Sequence, residues 1–167
     1  QVWWGEDGNN APRIKKYLKY AKNGVVPSTI WFHQESGTNS EAKTELRNIV
    51  GGQQMFTTPK PVRLIRRILQ LATDKDSIIL DSFAGSGTTG HAVLDLNQQD
   101  GGIRKFVLVE MDPSISRDIA AVRLRRVISG YDYEARSGNR SKRVQVPPLG
   151  GGFSYYRLGE PLFSASG

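Results

Sequence analysis

Residue types and spacing suited to nucleotide binding occur in the stretch DSFAGSGTTGHAVL, Asp81 to Leu94. Gly85, Gly87 and Gly90 follow the pattern G-x-G-x-x-G, after the apolar run SIIL and before a segment with helical character. Glycine lets the backbone approach a ligand, because no Cβ intervenes and positive φ is accessible. Open α/β sheets bind ligands at the carboxyl ends of their strands, where this loop would lie. The stretch therefore predicts a nucleotide site, with a tight turn that holds no ligand as the alternative.

A carboxylate at the end of the next apolar run extends this site. Glu110 follows Gly87 by 23 residues and ends the run KFVLVE. A carboxylate only accepts hydrogen bonds, so Glu110 can take two of them from ribose hydroxyls. NAD and S-adenosylmethionine satisfy the glycine loop and this acid equally well.

Three further features favour S-adenosylmethionine over a dinucleotide. Asp81 stands at the strand end, where its charge would repel a pyrophosphate and attract the cationic amino and sulfonium groups of the methyl donor. The loop hydroxyls can bond the amino acid end of the donor, and a second carboxylate follows Glu110. The residues that we expect to contact the donor here are Asp81, Ser82, Phe83, Ala84, Gly85, Ser86, Gly87, Thr88, Thr89, Glu110, Met111 and Asp112.

The surrounding elements predict half of a doubly wound α/β sheet. A strand over Ser77–Asp81 precedes the loop and a helix that runs to about Asn97, and another helix begins at Pro61 upstream. The run Lys105–Asp112 holds four consecutive apolar residues, as in a parallel strand covered on both faces. Asp112 can cap the next helix, which has a proline in its first turn. We therefore expect a partial doubly wound, Rossmann-like sheet with helices on both faces.

Polar and basic segments flank this unit. Pro12–Gly24 predicts a basic amphipathic helix, Val25–Phe32 a short strand, and Ser40–Ile49 a polar helix capped by its first residue. Downstream, RSGNRSKR over Arg136–Arg143 predicts a mobile basic loop, and Phe153–Gly159 predicts a strand.

Composition narrows the function classes. The 167 residues contain no cysteine, which excludes disulfides and thiolate–zinc sites. His33 and His91 have no metal-ligand companions in the sequence, so both are predicted to be ordinary surface or helix residues. The net charge of +7 favours a polyanionic partner such as nucleic acid. No apolar run approaches the roughly 18 residues of a membrane span, so we expect no membrane partner.

Several stretches together resemble one enzyme family. DSFAGSGTTGHAVL resembles the cofactor motif Asp-x-Phe-x-Gly-Ser-Gly-Thr-Thr of amino-methylating DNA methyltransferases, and VLVEMD is similar to their ribose-binding motif. TPKPVRLIRRIL resembles the motif that precedes the cofactor loop in the permuted class, which implies that Lys60 and Pro61 help to close the methionine end of the donor site. WWGEDGNNAPRIKKYLKYAKNGVVPSTIW, SEAKTEL and GGGFSYYRLGEPLF extend the resemblance over nearly the whole chain, to the C-terminal half of the modification subunit of type III restriction–modification systems.

The resemblance implies methyl transfer from S-adenosylmethionine to the exocyclic amino group of a DNA base, namely N6 of adenine. That reaction needs the tetrapeptide Asp/Asn/Ser-Pro-Pro-aromatic beside a flipped base. Pro147-Pro148 is the only Pro-Pro pair in the sequence, and its neighbours do not match. In the permuted class, the tetrapeptide and the target-recognition region precede the position of Lys60. The resemblance therefore implies that both lie upstream of Gln1, so we name no catalytic residue and expect this chain alone to be inactive.

The resemblance also divides the chain. Residues 1–57 correspond to the end of the target-recognition and linking region, and residues 58–130 to the S-adenosylmethionine-binding half of the methyltransferase domain. Residues 131–167 correspond to a basic loop and a C-terminal strand extension. Two rival functions stay open, an NAD- or FAD-binding Rossmann module and a DNA-binding module with a degenerate nucleotide pocket.

The expected partners follow from the same resemblance. Double-stranded DNA would meet the basic Lys15–Lys22 and Arg136–Arg143 segments through its phosphates. The upstream part of the protein, a second copy and a DNA-cleaving restriction subunit are further expected partners, in the cytoplasm of a prokaryote. Without the upstream half, the strands around Ile79 and Val107 would expose an edge or face, which predicts self-association.

Overall fold

The structure, a computed structural model, describes residues 2–3, 7–9, 13–14, 27–52, 56–138 and 140–159, and for residues 2, 3, 13, 14, 136 and 137 it describes the backbone alone. The chain divides into two compact units, residues 1–30 and 31–167. In the first unit, β1 (Val2–Trp3) pairs antiparallel with β2 (Arg13–Ile14). The helix predicted from Pro12 is therefore wrong at its start, and its remainder, with Lys15–Lys22, lies outside the described residues.

The second unit alternates helices and strands. A π-helical segment, Ile115–Ala120, leads directly into the last helix. The elements in chain order are α1 (His33–Ser36), α2 (Asn39–Val50), α3 (Val62–Ala72), β3 (Ile78–Asp81), α4 (Thr88–Asp100), β4 (Lys105–Leu108), α5 (Ala121–Ser129), β5 (Tyr131–Ser137) and β6 (Arg140–Val146).

The strands β3 and β4 are parallel, with Ile78 opposite Lys105 and Asp81 opposite Leu108, and α4 forms the connection between them. Their inward residues pack against helices on one side. One core cluster joins α3 to α4, and another joins α2 to α4 and α5; their buried members are Val62, Leu69, Ala92, Val93 and Leu96, and Ile49, Leu94, Leu124 and Val127. Gly90 lies within α4, and a Cβ there would stand only 2.9 Å from a leucine methyl of α5. Close packing of α4 against α5 and β4 therefore explains the third glycine.

The opposite face of β3 and β4 is exposed. Ile78 and Leu80 keep 70% and 68% of their surface accessible, and Val107 and Val109 keep 49% and 50%. The prediction of helices on both faces is therefore wrong for the described residues, because the helices packed on β3 and β4 lie on one side. The apolar run of β4 is that of a strand covered on both sides, yet its outward residues have no cover here.

The basic segment after α5 is a β-hairpin, so the predicted mobile loop is wrong. Tyr131 pairs with Val146 and Tyr133 with Val144, and these four half-buried residues alternate with polar ones. This period of two is the pattern of a half-exposed strand. Gly138, with φ of 57°, lies in the turn. The alternation that predicts a strand begins at Tyr131, before the basic residues Arg136–Arg143 on which the loop prediction was based.

Three local predictions also differ from the structure. Thr38, rather than Ser40, caps α2 and forms a capping box with Glu41, whose carboxylate accepts from Thr38 N at 2.9 Å. The described part of the predicted strand before α1, residues 27–32, is not a strand, and Pro27 cannot donate to a ladder. Residues 153–159 are also without strand structure. No helix within the described ranges is long and apolar enough to cross a membrane.

Candidate functional site

The two candidate carboxylates lie at one edge of the parallel pair. Val109 N donates to the Asp81 carbonyl at 2.9 Å, continuing the ladder beyond β4. Ala84 N then donates to the Val109 carbonyl at 3.0 Å, which folds the start of the glycine loop over the end of β4. Because parallel strands end at the same edge, Asp81 and Glu110 flank the loop from neighbouring strands.

The glycine loop needs glycine at two positions. Gly85 and Gly87 have φ of 50° and 74°, in the left-handed region that other residues rarely adopt. A Cβ on Gly87 would lie 3.2 Å from Ala120 Cβ, and one on Gly85 would lie 2.8 Å from the Phe56 ring. Gly87 also caps α4, so the loop ends at the positive end of a helix dipole.

Both carboxylates order the backbone and keep capacity for a ligand. Glu110 accepts from Gly85 N at 2.9 Å through Oε2 and from Asp112 N at 3.0 Å through Oε1. Asp81 accepts from Phe83 N at 3.1 Å and from Thr89 Oγ1 at 2.5 Å, one bond to each oxygen. Since each carboxylate oxygen has two acceptor sites, both groups can still accept from a ligand.

The three loop hydroxyls have partners inside the protein. Ser86, Thr88 and Thr89 are 2%, 5% and 8% exposed. The Ser86 and Thr88 oxygens lie 3.2 Å apart, and Thr88 Oγ1 also donates to the Lys60 carbonyl at 3.3 Å. Contact between these hydroxyls and the methyl donor stays a prediction, because in the structure the hydroxyls bond to groups inside the protein.

The remaining predicted residues lie around the loop. The hydroxyl of Thr88 joins the Lys60 segment to the first turn of α4, and Pro61 caps α3 rather than lying in its first turn. Ser82 is exposed and Ala84 is buried in the loop. Two large apolar side chains follow the strands and stand in solvent, Phe83 with 90% and Met111 with 95% of its surface accessible.

Asp112 caps the turn that begins the next helix, as predicted. Its Oδ1 accepts from Ser114 N at 2.8 Å and from Ser114 Oγ at 2.6 Å. These two hydrogen bonds hold the pKa of the Asp112 carboxyl below its usual range. Asp112 therefore positions the backbone after Glu110.

A buried arginine beneath the loop was missed by the sequence analysis. Arg123 in α5 is 0% exposed, and burial lowers its pKa to about 10. Its guanidinium donates to Thr88 Oγ1 at 2.9 Å, to Ser86 Oγ at 3.2 Å and to His91 Nδ1 at 3.2 Å. The available signal was helical periodicity, since Arg123 falls three residues after Ala120 and four before Val127, which are both buried.

His91, whose Nδ1 lies beside the Arg123 guanidinium, differs in one respect from its prediction. His91 lies in a helix, as predicted, but is buried rather than on the surface. Burial, with the nearby charges of Arg123 and Arg66, lowers the pKa of His91 to about 3. The imidazole is therefore neutral at pH 7, and Nδ1 accepts from the arginine. His33 is exposed in α1, as predicted.

Comparison with known proteins finds a DNA methylase family and relatives named as Mod subunits or methyltransferases. The sequence profile of a family described as DNA methylase matches residues 6–122. The Mod subunit of the type III restriction-modification enzyme StyLTI from Salmonella typhimurium is 34% identical over 169 residues, covering 96% of this chain and 24% of that protein. The EcoPI Mod subunit from Escherichia phage P1 is 46% identical over 112 residues, covering 67% of this chain and 17% of the relative. The type II methyltransferase M.KpnI from Klebsiella pneumoniae is 36% identical over 113 residues, covering 65% and 25%. The chain thus spans about a quarter or less of these relatives.

Proposed function

Since the chain belongs to the DNA methylase family, we propose that residues 58–130 are the S-adenosylmethionine-binding half of a site-specific DNA methyltransferase from a restriction–modification system. The observation that carries this proposal is the glycine loop held between Asp81 and Glu110 at the ends of two parallel strands. We propose further that β3 and β4 belong to a doubly wound, Rossmann-like sheet completed by residues beyond this sequence. The apolar character of the uncovered face supports that part of the proposal.

The chemistry of the loop fits this donor better than a dinucleotide. Glu110 is already fixed by two backbone amides and keeps acceptor sites for the ribose hydroxyls. Asp81 supplies a negative charge for the amino and sulfonium groups, and the N-terminus of α4 suits the carboxylate of the donor. The exposed Phe83 and Met111 offer apolar surface for the adenine ring. A pyrophosphate would instead meet the charge of Asp81.

S-adenosylmethionine supplies the methyl group when it is bound, and the residues of this chain bind and orient it. We propose N6 of adenine in double-stranded DNA as the acceptor, in line with the family resemblance. The Pro-Pro-aromatic tetrapeptide is not in this sequence, so the groups that polarise the amino nitrogen are assigned to another part of the protein. We accordingly propose residues 1–57 as the end of the target-recognition and linking region.

The β5–β6 hairpin is the proposed contact with DNA phosphates. Arg140, Lys142 and Arg143 are exposed on β6, and Nε and Nη2 of Arg143 both donate to the Oδ2 atom of Asp132. Contacts of this type contribute affinity without base specificity. A restriction subunit and a second copy are proposed as protein partners, because two of the relatives are named as Mod subunits of restriction-modification enzymes. The proposed location is the cytoplasm of a prokaryote.

Titration calorimetry of this chain with S-adenosylhomocysteine and with NADH tests the proposal. We expect binding of S-adenosylhomocysteine and no binding of NADH. Asp81→Asn should weaken binding at least 10-fold, because it removes the charge while preserving the shape. Asp76→Asn is the matched control, since this exposed acid lies before the opposite end of β3.

The outcomes separate the rival functions. Binding of NADH alone would make this a dinucleotide module. Binding of DNA with no binding of either nucleotide would support a degenerate pocket. Glu110→Gln should weaken S-adenosylhomocysteine and 5′-methylthioadenosine together, because both ligands carry the ribose that Glu110 would hold. An Asp81→Asn variant that binds as tightly as the wild type would remove the proposed role of that carboxylate.

A further inference from the structure

A fully buried guanidinium connects the two backbone segments of the candidate donor site. Arg123 Nη1 donates to Thr88 Oγ1 at 2.9 Å, and the same Thr88 hydroxyl donates to the Lys60 carbonyl at 3.3 Å. Nη1 also reaches the Ser86 carbonyl at 3.4 Å and Ser86 Oγ at 3.2 Å. The path therefore runs from α5 through the first residue of α4 to the segment before α3, with the glycine loop attached at Ser86.

The other half of the guanidinium is held by groups that fix its orientation. Nε and Nη2 lie 3.3 Å and 3.2 Å from His91 Nδ1, in the helix that begins at the loop. Glu45 of α2 lies 3.7 Å from Nη2 and is the nearest opposite charge among the residues that the structure describes. A buried guanidinium needs such partners, because an uncompensated charge in the interior is strongly destabilising.

We propose that Arg123 is the positioning residue of the donor site, fixing the Ser86–Thr88 turn against the Lys60 segment so that the amino acid end of the methyl donor is received. This inference rests on the proposed function and assigns a role to a residue outside the glycine loop and outside the Lys60-Pro61 pair. Arg123 is 0% exposed, so it acts through these segments and does not touch the ligand. Its planar fork of donors serves several acceptors at once, which a lysine cannot reproduce.

The proposal predicts a selective effect on one end of the ligand. S-adenosylhomocysteine carries the amino acid end, whereas 5′-methylthioadenosine has the adenosine and sulfur without it. Arg123→Lys keeps the charge and loses the fork, so S-adenosylhomocysteine should bind at least 10-fold more weakly. The affinity for 5′-methylthioadenosine should change less than 2-fold, because Glu110 and the end of β4 are untouched. A merely structural role would weaken both ligands equally.

The experiment is calorimetry of both ligands with the whole chain, wild type first, then Arg123→Lys and the control Arg125→Lys. Arg125 is exposed in the same helix and stacks on Phe153, 6.0 Å from the ring centroid, so its variant should bind as the wild type does. Circular dichroism checks folding. If Arg123→Lys does not fold, Arg123→Gln gives the same comparison, since its single amide cannot replace the fork of donors.

Each possible result either supports or overturns the proposed role of Arg123. Selective loss of S-adenosylhomocysteine supports the role of Arg123. Unchanged binding of S-adenosylhomocysteine, or an equal loss of both ligands by a folded variant, overturns it while leaving the proposed function intact. A wild type that binds neither ligand overturns the proposed function itself, and the role of Arg123 falls with it.

Discussion

His91 should make the stability of this protein fall as the pH is lowered from 7 to 5. Burial first, then the cationic side chains of Arg123 and Arg66, lower its pKa in the folded protein from 6.5 to about 3. His91 is therefore protonated below about pH 6.5 in the unfolded chain, but only below about pH 3 in the folded chain. Between these values the free energy of unfolding falls by about 1.4 kcal/mol for each pH unit. Integrated from pH 7 to pH 5, the loss from this one group is about 2 kcal/mol.

Urea unfolding at pH 7 and pH 5 measures this effect in the wild type and in His91→Asn. An asparagine oxygen can accept from Arg123, yet it does not titrate. Other ionisable groups contribute to both proteins, including Glu45, whose pKa is raised by burial. The difference between the two proteins therefore isolates His91, and the wild type should lose about 2 kcal/mol more than the variant. An equal loss in both proteins would refute the assignment of a buried, neutral imidazole.

Three further outcomes follow from the fold and the charges. The exposed face of β3 and β4 should cause self-association in sedimentation velocity, and Leu80→Gln with Val107→Gln should reduce it; a monodisperse wild-type monomer would contradict this. Gly90→Ala should lower the free energy of unfolding by about 1–3 kcal/mol through overpacking, while Gly152→Ala, with open space around it, should be neutral in the same denaturation curves. Lys142→Gln should reduce the slope of log affinity for duplex DNA against log salt by about 0.9, and an unchanged slope would exclude a phosphate contact at that residue.

Local patterns predicted the strand–loop–helix unit well, because its determinants are close in sequence. Glycine at two left-handed positions, a helix that starts at the loop and an acid that follows the next strand are all readable from spacing alone. The strand itself ends at Leu108, two residues before Glu110, and is shorter than the predicted Lys105–Asp112. The close packing around Gly90 was also predictable, since a glycine inside an apolar helix implies a near neighbour. The structure confirms these features as geometry, and their contact with a donor stays a proposal.

Features that depend on distant residues were not predictable in this way. Arg123 and His91 come from two different helices and are 32 positions apart in sequence, and arginine is rarely buried unless it is paired. The hairpin was missed because the basic composition of its tip outweighed the alternation around Tyr131 and Val146. The exposed face of β3 and β4 was predicted to be covered, because its apolar residues are typical of a strand buried on both sides. We propose that this face is covered in the complete fold.

The central claim is that the glycine loop and Glu110 hold S-adenosylmethionine. Amide chemical shifts of the 15N-labelled chain, followed during titration with S-adenosylhomocysteine, test it most directly. The predicted result is saturable shifts at Gly85, Gly87 and Glu110, with the β5–β6 hairpin unchanged. The contradicting result is no shift at these amides with S-adenosylhomocysteine, or saturable shifts there with NADH instead.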